Sequence, residues 1–334
     1  MLYRIPNAVR HDSKLLRRGN TETYYEYAFS FLATKCVFVI YNSKNLINMV
    51  ESLKCFWRAD KFENESFGKI RKIFIMVTYI WKGYMFVVCV FCIYLCILPL
   101  LDIQSKMLIL TNFTLCNSRI LTCWLANYVW QVFLLWLQGL PTVLGFDLLF
   151  IIFTAYVCAA IKLLKIGLTK LNTDDLYKRK HILRNIINQH DFMMNFVNVM
   201  NDMFTTIMFL QFYCSLWSLV LTQYMMVADR IYYGSYLFVF ALQLYLYAYS
   251  GALLQIELQS LSDDIFYVDW YKQESTKLRQ SLALMIQRTQ NAKVLTAGKI
   301  PILNLELFVN TLKNSYSVFT LIWQVASASK DVHG

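Results

Sequence analysis

The chain has 334 residues, of which 57% are hydrophobic, 16% aromatic and only 16% charged, whereas a soluble domain carries about a quarter charged residues. This composition excludes an ordinary soluble fold and turns attention to membrane spans. The formal charge of +11 does not point to nucleic acid, because Lys and Arg fall between the apolar runs and not along one face or arm.

Uncharged stretches lie between Lys82 and Asp102, Arg119 and Asp147, Asp202 and Asp229, and Arg230 and Glu257. Each reaches or exceeds the ~18 to 20 residues that cross a ~30 Å hydrocarbon core. In chain order the apolar pattern predicts spans over 24–41, 73–101, 127–160, 195–228, 231–255 and 303–325. Glu26 and Lys35 interrupt the first, and each costs about 2.5 to 3.5 kcal/mol at a helix centre. Glu26 is therefore expected at the interface, and Lys35 is expected to snorkel or to face the bundle. Lys82, Asp147, Asp202, Glu306 and Lys313 are further charges within or beside spans, costly unless they pair or line water. For Lys82 and Asp202, snorkelling or an intersubunit ion pair weighs equally with a conductive role.

Cytoplasmic loops retain positive charge during insertion. Segments 43–72, 162–194 and 256–300 hold roughly 20 of the 32 Lys and Arg residues. Segments 101–126 and 229–230 and the tail after Val325 together hold about four. The first three are expected inside the cell and the C-terminus outside. Arg4, Arg10, Lys14, Arg17 and Arg18 disagree with this count, so either the rule fails there or a span precedes them. The N-terminal residues lack the apolar region of a cleavable signal peptide.

The sequon Asn112-Phe113-Thr114 falls in a loop expected outside, making Asn112 the glycosylation candidate; Asn64-Glu65-Ser66 falls inside and is expected unmodified. Cys116 and Cys123 could form one extracellular disulfide. Cys89, Cys92 and Cys96 share a helical face without histidine or hard ligands, so packed thiols are preferred to a metal site. Segments 174–201 and 274–297 place apolar residues at helical spacing among charges, for example Leu183, Ile186 and Ile187, then Leu278, Leu282 and Met285. They are expected as membrane helices continued into the cytoplasm, able to meet each other or a neighbouring subunit. Amphipathic helices lying on the membrane are the alternative.

No dinucleotide fingerprint, phosphate loop, HExxH or nucleophile elbow occurs, and His11, His181, His190 and His333 are scattered. The expectation is a non-enzyme without cofactor, with His190 and Asp191 making surface contacts and not an acid–base pair. A site for small volatile molecules needs apolar shape with few polar handles. At helical spacing, Tyr25 and Phe29, Phe91 and Tyr94, Phe133 and Trp136, and Tyr236, Phe240 and Gln243 occupy the outer halves of four spans and could converge on one cavity. Taken singly, each is more often plain bundle core or lipid-facing surface, so only the grouping points to a cavity.

The last part of the chain reads Leu284-Met285-Ile286-Gln287-Arg288-Thr289-Gln290, Leu295-Thr296-Ala297-Gly298-Lys299, and Leu312-Lys313-Asn314-Ser315-Tyr316-Ser317-Val318-Phe319-Thr320-Leu321. This resembles the C-terminal signature of insect odorant receptors, with Tyr249-Ser250-Gly251, Ile265-Phe266-Tyr267 and Trp270-Tyr271 as supporting pieces. The resemblance implies an all-α polytopic membrane bundle of the inverted seven-transmembrane type, with its C-terminus extracellular. Six spans are evident here, so the family's first span is expected to be missing. It further implies a ligand-binding bundle over 24–260, cytoplasmic anchor segments over 162–200 and 256–300, and a pore-lining helix over 303–325.

By the same resemblance the chain is an odour-tuning subunit that assembles with a shared co-receptor into a four-subunit cation channel. Its site is the plasma membrane of olfactory neuron dendrites, and its ligands are small volatile organic molecules. Nucleic acid is not a partner. Carried over residue by residue, the gate falls on Leu321 and Val325, one helical turn apart, with Gln324 beside them. A ring of such apolar residues closes a pore by dewetting. Gly298 before Ile300-Pro301 is expected to break the cytoplasmic helix from the pore helix. A gustatory receptor channel and a metabotropic seven-helix receptor remain the alternatives.

Overall fold

The computed structural model describes residues 34–55, 64–101, 121–171, 176–226, 230–268, 276–291, 294–298 and 301–333. Helix α1 covers 34–41 and α2 covers Ser43–Ser52. The chain continues through α3 (Asn64–Leu101), α4 (Leu121–Leu134), a π-helical turn (Leu135–Gly139), α5 (Leu140–Thr169), α6 (Leu176–Met225), α7 (Arg230–Tyr267), α8 (Thr276–Gln290) and α9 (Leu305–His333). Among the described residues the only β feature is an isolated antiparallel bridge between Thr296 and Ile302.

Among the described residues four helices are long and apolar enough to cross a membrane, through Ile70–Ile97, Leu144–Thr169, Tyr177–Met225 and Arg230–Tyr267. The helix α9, expected as a span, is not among them, and Glu306, Asn310, Lys313 and Asn314 lower its hydropathy. The single span expected over 127–160 is longer at both ends, running from Leu121 to Thr169 with the π turn inside it. Pro141 lacks the N–H that would bond back to residue 137, and that missing bond falls within the widened turn. With 50 residues, α6 is about 75 Å long at 1.5 Å per residue. It therefore carries the charged stretch before Asp202 and the uncharged stretch after it on one axis, as the spacing over 174–201 predicts.

Burial separates the central helix from the peripheral one. In α5, 72% of the apolar window is buried, against 22% in α3. Phe150, Phe153, Val157 and Ile161 of α5 meet Met193, Val197, Met200 and Phe204 of α6 and Leu244, Tyr247, Leu254 and Leu258 of α7 in one continuous core. That core extends through Leu282 and Met285 of α8 to Leu295 and Leu303 of the connection to α9. The helix α3 leaves Tyr79, Phe86, Val90 and Ile93 exposed, a face suited to acyl chains, since its backbone is already satisfied within the helix.

The charged end of α6 is joined to α8. His190 is buried and not at the surface as expected, with its Nε2 2.8 Å from Thr289 Oγ1, while exposed Asp191 pairs with Arg288. The apolar stripes of α6 and α8 close over the imidazole and leave only the carboxylate in water. The two segments expected as cytoplasmic helices thus meet each other. Between α8 and α9, the amide of Leu303 donates to the Leu295 carbonyl at 2.8 Å and that of Ala297 to Pro301 at 2.9 Å. Asn201 and Thr205 of α6 strap this turn down, through Oδ1 of Asn201 to the Thr296 amide at 2.8 Å and the carbonyl of Thr205 to the Gly298 amide at 3.0 Å. Gly298 has φ +76°, and a Cβ there would come within 2.7 Å of the Phe209 ring. A Cβ on Gly251 of α7 would stand 2.1 Å from the Leu303 carbonyl oxygen. Both glycines are therefore required by close approach, and Gly298 also by its left-handed backbone. Helix α9 begins just beyond, where Asn304 Oδ1 caps the Leu307 amide at 2.9 Å.

Candidate ligand site and pore helix

Helical phase on α7 puts Tyr232, Tyr236 and Phe240 in one row, a turn apart, and this row forms an aromatic cluster with three other helices. Phe91, Tyr94 and Leu95 come from α3, Val132 and Leu135 from α4 and its π turn, and Leu221 from α6. The Phe91 and Tyr236 rings meet edge to face at 4.8 Å between centroids, and the Tyr232 and Tyr236 hydroxyls are 3.2 Å apart. Edge-to-face contact places the positive ring edge on the negative face of its partner.

Of the residues expected to converge here, Phe91, Tyr94, Tyr236 and Phe240 do so. Phe133 and Trp136 do not, which corrects the expectation for α4. They are 48% and 39% exposed, and Phe133 stacks on Trp130 at 5.8 Å. Adjacent positions on a helix point about 100° apart, and in α4 it is Val132 and Leu135 that take the inward side. Tyr25, Phe29 and Asn112 lie outside the described residues. Cys123 is disulfide-bonded, and Cys116, the partner expected for it, is likewise outside them; Cys89, Cys92 and Cys96 are free thiols.

Gln243, one turn further along α7, opens a buried polar network that the sequence did not reveal as a unit. Its Nε2 donates to Asp147 Oδ2 at 2.7 Å. Asp147 also accepts from Tyr84 at 2.8 Å, from the Tyr247 hydroxyl and from Lys35 Nζ at 3.1 Å. Lys35 is 0% exposed and Asp147 2%, so Lys35 faces the bundle and does not snorkel. The Phe146 ring lies 5.1 Å from the ammonium, a cation–π contact. Groups from α1, α3 and α7 thus neutralise and hydrogen-bond a carboxylate that α5 carries inside the bundle, the condition under which a buried charge is tolerated. Gln211 and Ser215 of α6 extend the network, with Gln211 Nε2 donating to Gln243 Oε1 at 3.3 Å. The other suspected charges, Lys82, Asp202, Glu306 and Lys313, are exposed.

Helix α9 lies against α6 and α7. Thr311 and Ser315 face inward, and Gln223 of α6 donates to Ser315 Oγ at 3.2 Å. Tyr224 meets Trp323 at 6.2 Å, and Tyr245 of α7 meets Phe308 at 5.7 Å. The opposite side of α9 is exposed, from Glu306 and Val309 through Lys313 and Tyr316 to Leu321, Gln324 and Val325. Leu321 and Val325 are 62% and 64% exposed.

Comparison with known proteins places these observations in a family. Residues 20–316 match the family described as 7tm odorant receptor. Odorant receptor 47a of Drosophila melanogaster is 23% identical over 216 residues, covering 62% of this chain and 56% of that protein. Odorant receptor 23a of Drosophila melanogaster is 32% identical over 94 residues, covering 28% of this chain and 24% of that one. Odorant receptor Or2 of Anopheles gambiae is 29% identical over 150 residues, covering 43% and 39%. The matches thus span from about a quarter to just over half of these relatives' lengths. Among solved structures, the insect olfactory receptor OR5 from Machilis hrabei in complex with eugenol shares the fold, with a TM-score of 0.78 at 13% identity over 93% of this chain and 82% of that one. A second structure of the insect olfactory receptor OR5 from Machilis hrabei gives 0.73 at 14% identity, over 90% of this chain and 80% of that one. The four membrane-length helices, the all-helical bundle and a match over most of the sequence agree: the chain is a multi-pass membrane protein that belongs to the seven-transmembrane odorant receptor family.

Proposed function

We propose that the chain is an odour-tuning subunit of a ligand-gated cation channel, assembled with an odorant receptor co-receptor in the plasma membrane of olfactory neurons. The aromatic cluster around Phe91, Tyr236 and Phe240 receives a small volatile molecule, and Leu321 and Val325 of α9, with Gln324, form the gate. The anchor consists of the charged end of α6 together with α8. The observation that carries this reading is the position of α6. Within three residues it borders the aromatic cluster through Leu221 and grips α9 through Gln223 and Tyr224. A ligand that binds better to one arrangement of the cluster thereby biases the position of α9, which is all that gating by population shift requires. That a receptor of this fold forms a complex with eugenol supports the ligand class.

The exposed side of α9 supports the pore assignment, because an apolar face left open in one chain is what neighbouring subunits and a water path would meet. The test is ionic current from cells expressing the chain with the co-receptor. Leu321→Ser should raise ligand-free current severalfold over wild type at equal surface expression; basal current unchanged in both Leu321→Ser and Val325→Ser removes the gate assignment.

A further inference from the structure

The buried polar network leaves one atom without a partner among the described residues, and its identity is dictated from a distance. Because Asp147 accepts from Gln243 Nε2 at 2.7 Å, that amide must turn its nitrogen to the carboxylate and its oxygen toward α6. Gln243 Oε1 then requires a donor, and Gln211 Nε2 provides it at 3.3 Å while also reaching Ser215 Oγ at 3.1 Å. Both amide protons of Gln211 are thereby engaged. Flipping Gln211 would set its carbonyl oxygen against that of Gln243, and flipping Gln243 as well would set its oxygen against the Asp147 carboxylate. The carboxylate therefore forces Gln211 to present an acceptor. That Oε1 is buried and has no hydrogen-bond partner among the described residues, in a residue only 1% exposed.

We propose that Gln211 is the specificity-determining acceptor for ligands that donate a hydrogen bond: small volatile molecules carrying an alcohol or phenol hydroxyl. Such a ligand lays its apolar body against the aromatic cluster and its O–H on Gln211 Oε1, about one helical turn along from Phe240 through Gln243. Ethers, esters and ketones have no proton to offer and would bring a lone pair to an oxygen already lacking a donor, an unfavourable desolvation. A site built to bond a hydroxyl rejects the analogue without it far more strongly than a purely apolar pocket distinguishes a methyl group. The inference rests on the odorant-binding reading above and adds the chemical class of the ligand.

The experiment uses the full chain purified in detergent with its co-receptor, and matched pairs as probes: 1-hexanol and hexyl methyl ether, 2-phenylethanol and its methyl ether, p-cresol and 4-methylanisole. Binding is read from quenching of intrinsic tryptophan fluorescence, and current is recorded separately in cells. Within each pair the hydroxyl compound should bind about ten-fold or more tightly, and Gln211→Met should abolish the difference by weakening the hydroxyl compound and, with the opposing oxygen gone, letting the ether bind at least as tightly as before. Where Gln211→Met does not fold, Gln211→Asn, which withdraws the oxygen by one methylene, should show the same loss. Equal affinities within the pairs in wild type, no binding of any pair, or a hydroxyl preference that survives loss of the Gln211 side chain overturns the proposal. A hydroxyl preference in binding without any evoked current supports the acceptor and counts against the channel reading instead.

Discussion

Separating Lys35 from Asp147 is the sharpest test of what holds the bundle together. Lys35→Met deletes a cation with no exposed surface and leaves Asp147 with Tyr84, Gln243 and Tyr247 as donors. Breaking a buried pair from one side costs about 3 to 5 kcal/mol, and the surviving donors put this variant at the lower end. Asp147→Leu removes the counter-ion of the ammonium, which keeps the Tyr247 hydroxyl at 3.4 Å and the Phe146 and Tyr247 rings at 5.1 and 5.8 Å. Cation–π contact returns only about 0.5 to 2 kcal/mol, so this variant belongs at the upper end. The combined Lys35→Met/Asp147→Leu chain leaves neither charge buried without its counter-ion and should recover part of the loss, a coupling that additivity forbids for independent sites. Recovery stays partial because Tyr84, Gln243 and Tyr247 lose their acceptor. Fluorescence-detected size exclusion after a heating series, with surface biotinylation, measures all three. Single variants that melt like wild type, or a double variant whose loss equals the sum of the singles, would show that the pair does not tie α1 to α5.

Two further perturbations probe the site. Phe91→Ala and Tyr236→Ala each empty part of the aromatic cluster and should reorder the potency ranking across an odour panel at equal surface expression; an unaltered ranking for both variants discredits the cluster as the ligand site. Gln223→Leu and Ser315→Ala should each shift the odorant concentration for half-maximal current, and the double variant should shift it no more than the larger single, since both remove one hydrogen bond; strictly additive shifts would mean that α6 and α9 are coupled elsewhere.

Much of the fold is legible in the chain because membrane helices announce themselves by length and apolarity. The charged continuation of α6 and the presence of α8 follow from periodicity at Leu183, Ile186, Ile187, Leu282 and Met285, since a charged segment with an apolar stripe must bury it. The aromatic cluster is only half legible. In helices that are apolar on all sides, an exposed aromatic such as Phe133 looks like a packed aromatic such as Phe91, and only packing separates them. Lys35 and Asp147 each stand out as intramembrane charges, but they are 112 positions apart, and no local pattern pairs them. Gln211 carries no charge to draw notice, although an amide inside the uncharged stretch between Asp202 and Asp229 is the kind of residue that must find partners in the bundle.

That α9 bounds a path which opens when ligand binds is tested most directly by Leu321→Cys, co-expressed with the co-receptor and exposed from outside to a membrane-impermeant methanethiosulfonate during odorant-evoked current. The prediction is irreversible block that develops faster in the presence of odorant than in its absence. An evoked current that persists unchanged after the reagent, in a variant whose introduced thiol is shown by mass spectrometry to be modified, would contradict it.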